Sequence, residues 1–236
     1  MALPKLNTAQ YELKVPSTGN TIEYRPFLVK EEKILLMALE GEDEKEMAKA
    51  IRQIISQCIL TEGFKIDNLA LVDLEFIFLK VRGKAVGDKS KVYTNCTKCE
   101  NQVEIVLELD KIEIDINPDH TDLIKLTDDI QVRMVPPKME HMMATANKKQ
   151  IDIVMDVIRD SITEIIQGED VFSSQDHSKE ELEEFLNSLN SGQFETIRKF
   201  FDTMPALRHE VEYTCKKCKT TEKQTLQGLA SFFASA

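Results

Sequence analysis

The sequence predicts an α+β chain, mostly helical, that opens with a β-hairpin and carries short antiparallel strands around two cysteine pairs. Three observations predict it. Apolar residues recur at helical spacing across residues 29–87 and again across 138–204. They alternate with polar residues near the N-terminus, over 89–136 and over 207–225. Four of the five cysteines fall in two Cys-x-x-Cys pairs, each preceded by a run of strand-forming residues. A spacing of three to four places side chains on one face of a helix, and alternation places them on one face of a sheet.

Residues 10–27 read as the hairpin. Tyr11, Leu13 and Val15 alternate with polar neighbours, as do Ile22 and Tyr24 after Pro16-Ser17-Thr18-Gly19-Asn20. Proline fixes φ in such a turn, and glycine and asparagine accept positive φ. Arg25-Pro26 ends the second strand, because proline has no N–H to give a ladder.

Three helices are predicted next, over about 29–40, about 43–61 and from Asp67 through residue 87. In the second, Met47, Ile51, Ile54, Ile55, Cys58 and Ile59 form one apolar face. The third takes Asp67 as its N-cap. Its Leu71, Leu74, Phe76, Ile77, Phe78 and Val81 surround most of the helix, so it is expected to be the most buried of the three.

Residues 89–136 change to a period of two and predict about five short strands closed by Pro136-Pro137. Helices are expected at about 138–147 and 149–167, the latter carrying Ile151, Val154, Ile158, Ile162 and Ile165. The polar stretch Gly168–Ser178 reads as a loop, with Ser178 capping a helix that begins Lys179-Glu180-Glu181. Apolar spacing from Phe185 to Phe201 continues a helical pair up to Met204-Pro205. A last β segment spans Leu207 to Thr225, and Leu226 to Phe233 form an apolar tail that would pack on its own domain or enter a partner's groove.

Composition bounds what such a chain does. Charged residues make up 30% and net charge is −11, so phosphate backbones repel it except at a segregated basic patch. No apolar run approaches the ~20 residues that cross a bilayer, and no secretory leader follows the first charges. The expectation is a protein kept in a reducing cytoplasm, where paired cysteines bind metal more readily than they form disulfides.

Cys96-Thr97-Lys98-Cys99 and Cys215-Lys216-Lys217-Cys218 carry the chemistry. Two intervening residues let both thiolates of a pair turn toward one ion, and two pairs supply the four soft ligands that Zn²⁺ prefers. The expected site is one structural zinc per chain, held by Cys96, Cys99, Cys215 and Cys218. Zinc ribbons usually separate their pairs by about 15–20 residues. Here the ribbon would be split into halves at 88–110 and 205–225, with residues 100–214 as an insertion between knuckles. The predicted domains are 1–87, the hairpin plus helices, and 88–236, the split zinc ribbon with its insertion and tail.

Other chemistries fit less well. A redox Cys-x-x-Cys stands alone ahead of a helix in a βαβ unit, which neither pair does. A catalytic zinc keeps an open position that four cysteines do not leave. Cys58 sits on an apolar helix face and reads as a core thiol. His120, His141, His177 and His209 have no metal-ligand spacing. No Gly-rich phosphate loop or nucleophile elbow occurs, so no enzyme and no small-molecule substrate are expected. Met134, Met139, Met142 and Met143 favour a core over an adaptable interface. Lys216, Lys217, Lys219 and Lys223 make the second knuckle basic; offsetting the −2 formal charge of a four-thiolate zinc site explains them better than a nucleic-acid contact, since no aromatics or arginines interleave.

The opening MALPKLNTAQYELKVPSTGNTIEYRPFLVKEEKILLMA resembles the start of the baseplate hub subunits of T-even-like contractile-tailed phages and their marine cyanophage relatives. The segment MPALRHEVEYTCKKCKTTEKQTLQGLASFF resembles the end of that family, and the resemblance covers essentially the whole chain. It implies a non-enzymatic role as a subunit or assembly factor of the central hub of a tail baseplate. Its partners would be other hub or wedge proteins. It would act in the host cytoplasm during assembly and reside in the virion if it stays. A zinc-ribbon nucleic-acid-binding regulator is the rival.

Overall fold

The computed structural model describes residues 7–41, 44–139 and 149–232, and its contacts divide the chain into two units. One is formed by Met1–Asp115 together with Ala206–Ala236, and the other by Ile116–Pro205. Helices 1–87 and the strands bearing both cysteine pairs therefore share a unit.

In the discontinuous unit, β1 (Tyr11–Lys14) and β2 (Thr21–Tyr24) pair antiparallel, with Tyr11 opposite Tyr24. Their turn closes through Val15 N–H to Asn20 O at 2.8 Å, with Gly19 at φ +70° where a side chain would be strained. Buried Asp73 fastens that turn from a distance, accepting from the N–H and hydroxyl of Ser17. Three helices follow: α1 (Val29–Glu40), α2 (Glu44–Cys58) and α3 (Leu71–Val86).

Helix α1 starts where Glu31 folds back to accept the Leu28 N–H at 2.8 Å, satisfying one of the orphan donors of the first turn. The same buried carboxylate pairs with Arg25 at 2.8 Å, and Arg25 also donates to Gln57 O, so one guanidinium joins the end of β2 to α1 and α2. Helix α3 buries nine residues, Leu74, Ile77, Leu79 and Val81 among them, and is the most enclosed of the three. It begins later than the sequence predicts. Asp67 lies in a separate 3-10 turn, Ile66–Asn68, where it pairs with Arg52, and Ala70 occupies the N-cap.

Strands β3 (Lys89–Asn95) and β4 (Gln102–Glu108) form a regular hairpin whose inward Val92, Val103, Ile105 and Leu107 are buried. Lys80 of α3 donates to the carbonyls of Leu109, Asp110 and Ile112, which holds the chain after β4 against the helix. A separate sheet has the order β11-β10-β5, built from β5 (Ile114–Asp115), β10 (Ala206–Thr214) and β11 (Thr221–Gln227).

The continuous unit is a four-stranded antiparallel sheet of order β6-β7-β8-β9, from β6 (Leu123–Lys125), β7 (Ile130–Met134), β8 (Ile162–Gln167) and β9 (Asp170–Ser173). Helices α4 (Gln150–Ser161), α5 (Lys179–Asn187) and α6 (Ser191–Thr203) complete it. Ile124, Val132, Met134, Ile158, Ile162, Leu186, Ile197 and Phe200 make its core. Ser178 caps α5 in a reciprocal box with Glu181, as the sequence predicts, and Asn190 caps α6 the same way with Gln193.

The α+β class and the five strands of 89–136 stand. The expectation of a mostly helical chain does not, because helix occupies fewer than half of the described residues. Part of the difference lies at Ile162–Gln167, predicted to extend α4. Helix α4 stops at Ser161, and Ile162, Thr163, Ile165 and Ile166 turn into β8, where β-branched side chains suit the pleated surface. The supposed loop after it forms β9, with Gly168 at φ +57° turning the chain. Residues 140–147 of the helix expected at 138–147, with His141, Met142 and Met143, lie outside the described residues, while Met134 and Met139 are buried.

Candidate metal centre

The β3–β4 and β10–β11 hairpins each end in a Cys-x-x-Cys loop of the same backbone design. In the first, Cys96 N–H donates to Asn101 O at 3.0 Å and Glu100 N–H to Cys96 O at 2.8 Å. In the second, Cys215 N–H donates to Thr220 O and Lys219 N–H to Cys215 O, both at 2.9 Å. Glu100 and Lys219, each one residue past the second cysteine, have φ of 57° and 61° and are the only non-glycine residues with positive φ among those described. The left-handed turn costs a side chain roughly 1–2 kcal/mol. Its repetition at both loops shows that the loop geometry demands it.

The loops bring Cys96, Cys99, Cys215 and Cys218 together, with all four sulfurs within 4.8 Å of one another. Cys96 Sγ lies 3.6 Å from Cys218 Sγ, and Cys99 Sγ lies 3.6 Å from Cys215 Sγ. Four sulfurs about 2.3 Å from a central zinc are about 3.8 Å apart in a regular tetrahedron, so this spacing suits a four-thiolate ion. Cys96 and Cys215 are buried and the other two half-buried. The four cysteines could hold one metal ion, and the set leaves no position for water or substrate.

Charge is unevenly distributed among the sulfurs. The Thr220 hydroxyl and N–H pull Cys218 down to about 6, and the N–H groups of Cys218 and Lys217 help lower Cys215. Cys99 moves the other way. The Asn101 N–H favours its thiolate, but desolvation and the three neighbouring sulfurs push it up to about 12. Thiolates packed this closely repel one another, and a divalent cation removes that repulsion and releases protons.

One carboxylate reaches across the centre. Glu222 of β11 accepts from Tyr213 OH at 2.6 Å, from Thr97 N–H at 3.3 Å and from the Thr97 hydroxyl, and lies 3.9 Å from Cys96 Sγ. Spacing alone does not reveal it. Aligning the two hairpins on their first cysteines does, because Glu222 then falls where the first hairpin has buried Val103.

The remaining candidates settle into structure. Cys58 is fully buried, burial pushes its thiol up to about 11, and it is not among the four converging sulfurs. His120 meets Thr203 Oγ1 at 3.0 Å and packs on Phe200, and His177 faces Glu181. Lys98, Lys216, Lys217 and Lys219 are exposed on the loops, and Lys223 pairs with Glu210. The apolar tail packs on its own unit: Leu226, Leu229 and Phe232 are buried, Ser90 Oγ donates to Phe232 O, and Leu229 N–H donates to Glu75. Phe233 lies outside the described residues.

No helix among the described residues is long and apolar enough to cross a membrane. No curated protein and no solved structure matches the chain. A family model described as "T4 bacteriophage base plate protein" matches residues 8–234.

Proposed function

The chain belongs to the T4 bacteriophage base plate protein family, and on that premise we propose that it is a non-enzymatic structural or assembly component of a tail baseplate's central hub, stapled by one structural zinc. The observation that carries the role is the extent of the match, which spans both units rather than the cysteine hairpins alone. The four converging sulfurs support the zinc. Their donor set is soft, closed and fit for holding two chain segments together. The partners are other hub or wedge proteins of the baseplate, met in the host cytoplasm during assembly. Fractionation of infected cells tests this reading: the chain should sediment with baseplates or their hub intermediates, and exclusive recovery as free monomer would refute it.

A second reading, a nucleic-acid-binding regulator, draws on the exposed Lys98, Lys216, Lys217 and Lys219 at the loops. The net charge of −11 opposes it. A gel-shift at low salt separates the two, since the hub reading expects no salt-sensitive retention of duplex DNA or of RNA.

A further inference from the structure

The two cysteine loops are alike in backbone but unlike in what flanks them. Both have the same pair of closing hydrogen bonds and the same left-handed residue after the second cysteine. Two residues before the first cysteine, the first hairpin has Thr94 opposite Val103, and the second has Tyr213 opposite Glu222. A ladder position that is apolar in one half is thus a carboxylate in the other.

That carboxylate spends its lone pairs on the opposite half. Besides Cys96 Sγ at 3.9 Å, it has three N–H or O–H donors, and two of them, the N–H and hydroxyl of Thr97, belong to the first cysteine loop, 125 residues away in the chain. The third, Tyr213 OH, belongs to its own hairpin and fixes the side chain's direction. Thr97 directly follows Cys96, so fixing its amide fixes the loop that carries Cys96 and Cys99. None of these three groups is itself a sulfur ligand.

We propose that Glu222, oriented by Tyr213, is a positioning residue for the metal centre: it clasps Thr97 and sets the two loops at the separation that four-thiolate coordination requires. This rests on the zinc reading above and deepens it. A carboxylate beside a cluster of thiolates is unfavourable unless it is spoken for, and three convergent donors satisfy it. Outer partners that orient ligands commonly change metal affinity 10–100-fold.

The test is zinc affinity of the full chain by competition with a chromophoric chelator, alongside Co²⁺ absorption and urea unfolding of the metal-free protein. Glu222→Ala should weaken zinc about 10–100-fold, and Tyr213→Phe should weaken it by less. Glu222→Gln, which keeps one acceptor, should recover part of the loss. The Co²⁺ spectrum should stay tetrahedral in all three, because no ligand is lost. Wild-type affinity in Glu222→Ala would overturn the proposal. So would a loss of stability equal with and without zinc, which marks a purely structural contact. Failure of the wild-type chain to bind zinc would instead defeat the metal reading, and is seen before any variant is made.

Discussion

Ser90 and Phe232 lie 142 residues apart, and the Ser90 hydroxyl donates to the Phe232 carbonyl at 2.8 Å in a buried setting. With Leu229 N–H donating to Glu75 at 3.1 Å, this ties the segment Leu229–Phe232 to β3 and α3 of its own unit. The tail is therefore part of a core. Phe232→Ala should destabilise that unit by about 3–5 kcal/mol, the usual cost of truncating a buried aromatic. Urea unfolding of the isolated monomer checks it; an unchanged midpoint with impaired assembly would show a tail that serves a partner instead.

The zinc reading makes the next expectation. Zinc analysis of the native protein should return about one ion per chain, bound by four thiolates. Cys215→Ser should lose that ion and much of the stability of the discontinuous unit, because binding energy at a structural site is folding energy. Strong chelation of the wild type should lower its melting temperature in the same way, and insensitivity to both treatments would exclude the site.

Acid should find the Arg25–Glu31 pair. Burial would raise the Glu31 carboxyl, but Arg25, the Leu28 N–H and Lys30 outweigh it and hold its pKa below the ordinary value. A carboxylate whose pKa is lower folded than unfolded stabilises fully above the unfolded value of about 4.3, and that contribution is lost as pH falls through the folded value. Urea midpoints should therefore drop below about pH 4.3, and Glu31→Gln should flatten this acid limb. Arg25→Met, which leaves the buried carboxylate only Lys30 and the Leu28 N–H, should destabilise at neutral pH by less than the roughly 3–5 kcal/mol of a fully unpaired buried charge.

Ser161 offers a change in the opposite direction. It is fully buried at the end of α4, and its Oγ has no hydrogen-bond partner among the described residues. Removing an unsatisfied hydroxyl relieves a desolvation penalty of about 1–3 kcal/mol at most. Ser161→Ala should leave the continuous unit equally stable or more so, as read by thermal unfolding. A clear loss would reveal a partner for the hydroxyl.

How much of this was legible in the sequence depends on range. The Cys-x-x-Cys loops are written in four adjacent residues, as is the Ser178–Glu181 cap, and both could be read directly. Ile162 to Ile166 could not. Their spacing fits a helix face as well as a strand, and the choice falls to pairing with β7, a contact some thirty residues distant. Asp67 is a good N-cap by type, yet an ion pair with Arg52 holds it outside the helix. Glu222 was hidden for a third reason: its partner Thr97 is named by the register of two hairpins brought together, and no window along the chain contains both.

The separation of the cysteine pairs also has a consequence in time. Cys215 is 116 residues beyond Cys99, and ribosomes add about 5–20 residues per second. The first two thiols are therefore made roughly 6–23 s before the last two exist. During that interval the early pair can meet a metal or an oxidant with only half a cage around it. On the zinc reading, reducing conditions while the chain is being made favour closure as much as those after it is finished.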